Sequence, residues 1–400
     1  MSAGECAVLT PSEAPGVTTI ALARSPEDRQ RVYRFRYAIY VDEMGKRDLS
    51  YADHDDKTLI DDLDESATLF YVERGGELVA TLRRNRFGDG GPPQACRDVY
   101  DLEAFAEFSP PALSLSSRLM IAREMRGSPT LPKLLVTAYE HAITEGVLFD
   151  FCSCSPGLVD LYEHLGYRRY KDNVIDPDAG YRVPMVLVVH DEDHLSDVRS
   201  PLLRRLRSHR ARVDAANGTP AWFRRRFPAA CRVAEWMLEG GDFWTFLADK
   251  LRPSPTQCTP LLEGLSVDEA RTILQKGTVL RCRAGERIIR INDLAREMYL
   301  VLSGLIEVRS ETGRTSIAVF GPGQIIGEIG CLLGCERTGN VVAVADSEIL
   351  VISRAHIERL IATQPQLAAR TLMNLSRVLC ERLVASIRLR LAAEADEDRP

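Results

Sequence analysis

The chain has 400 residues, enough for two or three domains with cores of their own. Its 45% hydrophobic and 27% charged residues are the make-up of a soluble globular protein, and a formal net charge of −6 argues against wholesale nucleic-acid binding while leaving room for a local basic patch. No apolar stretch approaches the length of a bilayer crossing, and "MSAGECAVLTPSEAPG" has neither a basic start nor an apolar core, which excludes a signal peptide. Residues 1–16 are expected to be a disordered lead-in, and the chain to be cytoplasmic. The ten cysteines are scattered singly except Cys152 and Cys154, with no CxxC pair and no Cys/His cluster of zinc spacing. Reduced thiols are expected, the alternative being a redox pair at Cys152/Cys154.

Helix and strand signals alternate over the first two hundred residues. "TTIALA" reads as a strand, and "SPEDRQRVYRFRYAIYVDEMG" as a helix opened by Ser-Pro. "TLFYVERGGELVATLRRNRF" is two strands about Gly75-Gly76, a hairpin signal. "LSLSSRLMIA" is a strand, "TLPKLLVTAYEHAITEG" a helix stopped by glycine, "VLFDFCSC" a strand, "PGLVDLYEHLG" a short helix and "YRVPMVLVVH" a closing strand. An arginine-dense stretch follows, then an aromatic helical segment and the linker-like "RPSPTQCTP". Ser266 and Glu269 form a capping-box pattern before a helix. Many short strands between Gly277 and Ser353 predict a small β-sandwich or jelly roll, and two helices close the chain.

Within that β-rich stretch, "IIGEIGCLLGCERTGNVVAVA" sets Gly327-Glu328 before a short helix and Arg337 at a turn into the next strand. Buried charges are costly unless paired, so either both face water or they converge on a ligand carrying hydroxyls and a phosphate. With "RAGERIIRINDLAREMYLVLSGLIEVRS" ahead of it, this segment resembles cyclic nucleotide-binding domains over roughly 258–385. The resemblance implies that Glu328 accepts the ribose 2′-hydroxyl and Arg337 pairs with the cyclic phosphate. Backbone amides around Gly327, Ile329 and Gly330 would cradle the anion. Thr338 stands where a hydroxyl in this family meets guanine's amino group, and it equally suits a solvent-facing position. Cyclic AMP is expected over cyclic GMP. The chain departs from the family at Glu336, which offers Arg337 an intramolecular partner, at Asn340 in place of threonine, and at the turn "IND". The alternative is a retained β-roll whose pocket binds nothing. No second helix-turn-helix follows and no membrane span is present, so neither DNA binding nor a channel is expected.

"LSSRLMIAREMRGSPTLPKLLVTAYEHAITEGVLFDFCSCSPGLVDLYEHLGYRRY" resembles the GNAT acyltransferases. In that superfamily the strand matching "SRLMI" offers an amide to the thioester carbonyl, and the tyrosine matching Tyr162 protonates the leaving thiolate. Tyr162 also fits a core aromatic at helical spacing. Arg126 and Gly127 match the start of the pyrophosphate loop, but Pro129 and Leu131 replace its glycines, and proline removes an amide donor. "RFRYAIYVDEMG", "DDLDESATLFYVERGGELVATLRR" and "SSRLMIA" resemble acyl-homoserine lactone synthases, and more closely the long-chain N-acyl amino acid synthases. Arg36 and Tyr40 match the helix pair, Asp61 and Asp64 the acidic pair, Arg83 the hairpin arginine and Arg118 the strand arginine. Leu115 stands where the lactone synthases have glutamate and Lys46 where they have tryptophan, which favours simple N-acylation. Asp61 or Asp64 would orient an acceptor ammonium or take its proton, and Arg83 or Arg118 would pair its carboxylate. Alternatively these residues form ion pairs fixing the first helix on the sheet. Glu124 reads as solvated.

The arginine-rich middle, with Trp222, Phe223 and Phe227 beside Arg224-Arg225-Arg226, suits an acidic carrier protein, an anionic membrane surface or a solvated helix face. The expected architecture is α+β. A GNAT-like N-acyl amino acid synthase domain occupies 17–195, an Arg-rich helical linker 196–256, a β-roll cyclic nucleotide-binding domain 257–390 and a charged tail 391–400. The expected function is acyl transfer from a thioester of acyl carrier protein or coenzyme A to a small-molecule amine, under cyclic nucleotide control. The alternatives are a cyclic AMP-regulated lysine acetyltransferase using acetyl-CoA and a non-enzymatic sensor.

Overall fold

A computed structural model describes residues 18–47, 49–88, 91–176, 178–209, 218–231, 243–275, 277–294, 296–313 and 315–397, with side chains to 388. The expected lead-in at 1–16 lies outside the described residues. The chain folds as two units. The first takes in described residues up to 154, together with 161–174 and those of 182–238; the second takes in 155–160, 175–181 and those from 239 onward.

The first unit is built on a mixed sheet of strands β1 (Thr18–Leu22), β4 (Thr68–Arg74), β5 (Glu77–Arg86), β6 (Leu113–Ile121), β7 (Phe149–Cys154), β8 (Tyr167–Arg169) and β10 (Gly180–Val188). The order is β1-β4-β5-β6-β7-β10-β8, with β9 (Val174–Asp176) beside β10; β2 (Ala52–Asp53) and β3 (Thr58–Leu59) form a separate ribbon. Gly75 and Gly76 close the β4–β5 hairpin at φ of 61° and 86°, a turn that needs positive φ at both centres. Helix α1 (Pro26–Tyr37) starts at Ser25, whose side chain accepts from Asp28 N while Asp28 returns the bond. A six-residue π turn, Ala38–Glu43, continues it. Helix α2 (Gln94–Tyr100) precedes β6. Helix α3 (Thr130–Thr144) joins the parallel pair β6 and β7 and buries Leu134, Ala138, Tyr139, Ala142 and Ile143, a stripe of helical spacing. A short helix α4 (Val159–Leu165) carries Tyr162.

The stretch expected to be a linker is packed into cores. Phe223, on the helix Thr219–Arg226, is fully buried among Phe105, Phe149 and Phe151, with Trp222 and Phe227 against the same cluster. The aromatic residues proposed for a membrane interface thus pack inward, Phe223 fully and Trp222 and Phe227 in part, because burying rings of this size outweighs leaving them wet. Further on, Leu247 and Leu251 join the core of the second unit.

That unit holds two four-stranded antiparallel sheets. One is β11 (Thr278–Cys282), β18 (Ser347–Ser353), β13 (Glu297–Ser303) and β16 (Ile325–Ile326); the other is β12 (Arg287–Ile289), β17 (Asn340–Ala343), β14 (Ile306–Arg309) and β15 (Ser316–Phe320). The helix Val267–Leu274 has the expected Ser266–Glu269 capping box. The helices Arg354–Thr363 and Pro365–Glu397 follow, and Leu360, Leu367 and Leu375 pack with Leu300 and Leu350. No helix among the described residues is long and apolar enough to cross a membrane.

Candidate functional sites

In the first unit, five of the expected residues meet in one ion-pair ladder. Arg36 of α1 donates from Nη1 to Asp64 at 2.7 Å, Arg83 of β5 reaches Asp64 at 3.2 Å and also pairs with Asp61, and Arg118 of β6 donates to the other Asp61 oxygen. The two carboxylates sit one turn apart because Asp61 caps the 3-10 turn Asp62–Asp64, with Asp64 accepting from Asp61 N. Burial alone raises the Asp61 pKa, but Arg83 and Arg118 outweigh it and hold the group at about 2. A carboxylate held that low is a poor proton acceptor at neutral pH. Through Arg36, Asp64 and Arg83 the ladder also ties α1 to the sheet. It leaves three guanidinium groups against two carboxylates, a local excess of positive charge.

The backbone beside the ladder is irregular. Register slips between Thr81 and Arg83, and Arg118 takes φ 54°, a left-handed conformation for a side-chain-bearing residue. β6 pairs with β7 only from Leu113↔Phe149 to Leu115↔Phe151, although β6 runs on to Ile121 and β7 to Cys154. The two strands therefore part beyond Leu115, and Arg118 stands on the strand that leaves.

Tyr162 lines a small, mainly apolar cavity with Leu82, Leu119, Leu135, Ala138 and Leu165; its volume is about 30 Å³, room for about two waters. Its ring stands edge-on to Tyr167 with centroids 5.4 Å apart, and burial pushes its pKa well up, so its proton is retained. Polar groups missed in the sequence close the same cavity. Arg84 is buried and paired with Glu145 at 2.9 Å, and Asp150 accepts from Ser114 and Tyr167 at 2.5 Å each. Their signal is a charged residue amid strand hydrophobics, which does not say where the partner is. The pyrophosphate-loop residues stay apart from this group: Arg126 is held by Glu43 at 2.6 Å and donates to Ile121 O, beside Gly127 at φ 81°. Cys152 and Cys154 are buried free thiols, the first pushed well up by burial and the second to about 12.

In the second unit, Glu328 and Arg337 are both buried, at 4% and 6% exposure, so neither faces water. Gly327 precedes the helix Glu328–Leu333 at φ 77°, and Arg337 donates to its carbonyl at 2.9 Å. The other partner of Arg337 is Glu297 of β13, at 3.2 Å, rather than the adjacent Glu336, whose side chain is exposed. Glu328 is held by Arg382 of the C-terminal helix at 2.6 Å, and that guanidinium lies 4.7 Å over the Phe320 ring. Neither Glu297 nor Arg382 was identified in the sequence, since each lies on a distant element. Two of the departures from the family work together. Asn292 supplies a positive φ of 69° in the "IND" turn, and Asn340 accepts from Ile291 N at 3.1 Å to hold that turn. Gly330 is buried, whereas Ile329 and Thr338 are exposed.

Residues 31–191 match the family N-acyl amino acid synthase FeeM. Residues 279–364 match the cyclic nucleotide-binding domain. The ladder, Arg126, Gly127 and Tyr162 all fall within the synthase match, and Gly327 to Gly330, Arg337 and Thr338 within the nucleotide-binding match. The chain is 33% identical over 128 residues to the cyclic AMP receptor protein of Thermus thermophilus, covering 31% of this chain and 57% of that protein. It is 31% identical over 131 residues to glutaminase 2 of Bradyrhizobium diazoefficiens, covering 32% of this chain and 20% of that one. It thus spans less than two thirds of the length of either relative. Among solved structures, the crystal structure of the Thermus thermophilus catabolite activator protein matches at 33% identity and TM-score 0.30, over 34% of this chain and 63% of that one.

Proposed function

We propose that the chain transfers an acyl group from a thioester to the nitrogen of a small amine such as an amino acid, and that a cyclic nucleotide, cyclic AMP before cyclic GMP, regulates the transfer. The observation that carries this is the ladder of Arg36, Asp64, Arg83, Asp61 and Arg118 beside the opening between β6 and β7. Its excess guanidinium charge suits the carboxylate of an amino-acid acceptor, and amides freed from strand pairing suit a thioester carbonyl whose oxygen gains charge during attack. Tyr162, kept protonated by burial, suits a group that gives its proton to the departing sulfur. The apolar cavity beside it would widen to take the start of an alkyl tail. Acyl carrier protein is the favoured donor. Arg126 is engaged by Glu43, and Pro129 gives no amide to a pyrophosphate.

The test incubates purified protein with a long-chain acyl carrier protein and a mixture of amino acids, with and without cyclic AMP, and reads products by mass spectrometry. Acyl amides are expected, at a rate that cyclic AMP changes. Amide formation only from acetyl-CoA onto protein lysines would replace this reading with the acetyltransferase one, and rates indifferent to saturating nucleotide would remove the regulatory half.

A further inference from the structure

Acyl transfer to an amine, the reading on which this inference rests, needs a group that takes a proton from the attacking nitrogen. The nearby carboxylates are poorly suited. Asp61 is held at about 2 between Arg83 and Arg118, and Asp64 is shared among Arg36, Arg83 and Asp61 N. Leu115, where β6 and β7 part, is apolar and buried. Neither carboxylate of the ladder therefore stands ready to act as base.

Tyr40 is placed differently. It projects from the π turn that follows α1, a local distortion of a kind that recurs at functional sites. Its ring is partly exposed and carries two cations on its faces, the Arg118 guanidinium at 5.5 Å and the Lys46 ammonium at 5.8 Å from the ring centre. Arg182 of β10 adds a third positive charge. Tyr40 is among the lesser causes that raise the Tyr162 pKa. The charged and titratable groups about Tyr40 include Arg118, Lys46, Arg182 and Tyr162, and Tyr37 and Tyr51 share its core cluster. Burial by itself would raise the Tyr40 pKa, yet the three cations outweigh it and bring it below the usual tyrosine value, while burial drives Tyr162 the other way. Two like groups whose environments separate them in this manner form an acid and base pair.

We propose that Tyr40 is a catalytic residue of the transfer, accepting a proton from the acceptor nitrogen while Tyr162 donates one to the departing sulfur. The acceptor enters as the free amine, its ammonium proton having gone to water. The nitrogen lone pair forms the N–C bond to the thioester carbonyl, and one N–H proton passes to the Tyr40 phenolate. The C–S bond then breaks with its electron pair on sulfur, which takes the Tyr162 proton and leaves as thiol. Tyr40 finally gives its proton to water and the Tyr162 phenolate takes one from water, restoring both.

The experiment compares the full chain with Tyr40→Phe, which removes one oxygen and keeps the ring between its cations, and with Tyr40→3-fluorotyrosine, a more acidic phenol. Amide formation is followed against pH. For Tyr40→Phe the expected result is a fall in kcat of about 100-fold, with the acceptor KM little changed. The fluorinated variant is expected to shift the acidic limb of the kcat/KM profile to lower pH, which a merely structural tyrosine would not do. An unaltered kcat in the first, or an unmoved limb in the second, overturns the role of Tyr40 alone. Absence of amide from the unmodified chain overturns the acyl-transfer reading, and this role with it.

Discussion

At Arg337 a carboxylate already occupies the guanidinium on which a cyclic phosphate would bind: Glu297 at 3.2 Å, from a residue 40 positions earlier in the chain. An incoming phosphate must displace that anion or share the cation with it, and the loss of a hydrogen bond to a charged group is worth roughly 1.5–3 kcal/mol. Glu297→Gln is therefore expected to tighten cyclic AMP binding about tenfold or more by titration calorimetry, and Arg337→Ala to abolish it. If the Glu297→Gln constant equals that of the unmodified chain, the arginine serves both anions at once and no competition exists. Glu328 and Arg337 were legible in the sequence because the Gly-Glu and Arg positions lie within one short segment. Glu297 and Arg382 were not, since only the pairing of β13 and the docking of the last helix bring them there.

The decisive features of single elements are backbone ones. Gly327 turns the chain into its short helix at φ 77°, and a Cβ there would lie 2.6 Å from Arg337 Nη1. Gly327→Ala meets both a left-handed backbone, which costs about 1 kcal/mol for an alanine, and the guanidinium itself. Expected are at least a tenfold loss of nucleotide affinity and a near-unchanged far-ultraviolet circular dichroism spectrum; undiminished affinity would mean that Arg337 binds from another position. The capping residues Ser25 and Ser266 and the Gly75-Gly76 hairpin were readable because caps and tight turns depend on adjacent residues. The bulge at Arg118 and the parting of β6 from β7 were not, because register belongs to a pair of strands and not to either sequence.

For the whole molecule, regulation means a coupling free energy that must act in both directions. If cyclic AMP changes the affinity for an amino-acid acceptor by some factor, a saturating acceptor must change the affinity for cyclic AMP by that same factor. Calorimetric titration of cyclic AMP with and without acceptor checks this; a rate that cyclic AMP changes beside two unshifted binding constants would place the effect on turnover alone. The arginine-rich middle belongs to this scale too. Its charge pattern read as a linker, whereas Phe223 is buried in the core of the first unit and Leu247 and Leu251 in that of the second.

The sequence by itself determined the two kinds of fold, the order of their elements, and which charged residues to watch, because hydrophobic periodicity, caps, turns and short motifs are local. Tertiary structure alone decided which charges meet. It set Asp61 between Arg83 and Arg118, Glu297 on Arg337, Arg382 on Glu328, and Tyr40 among three cations. A charge takes its pKa and its partners from whatever lies within a few ångströms, and residues far apart in the chain supply that surrounding.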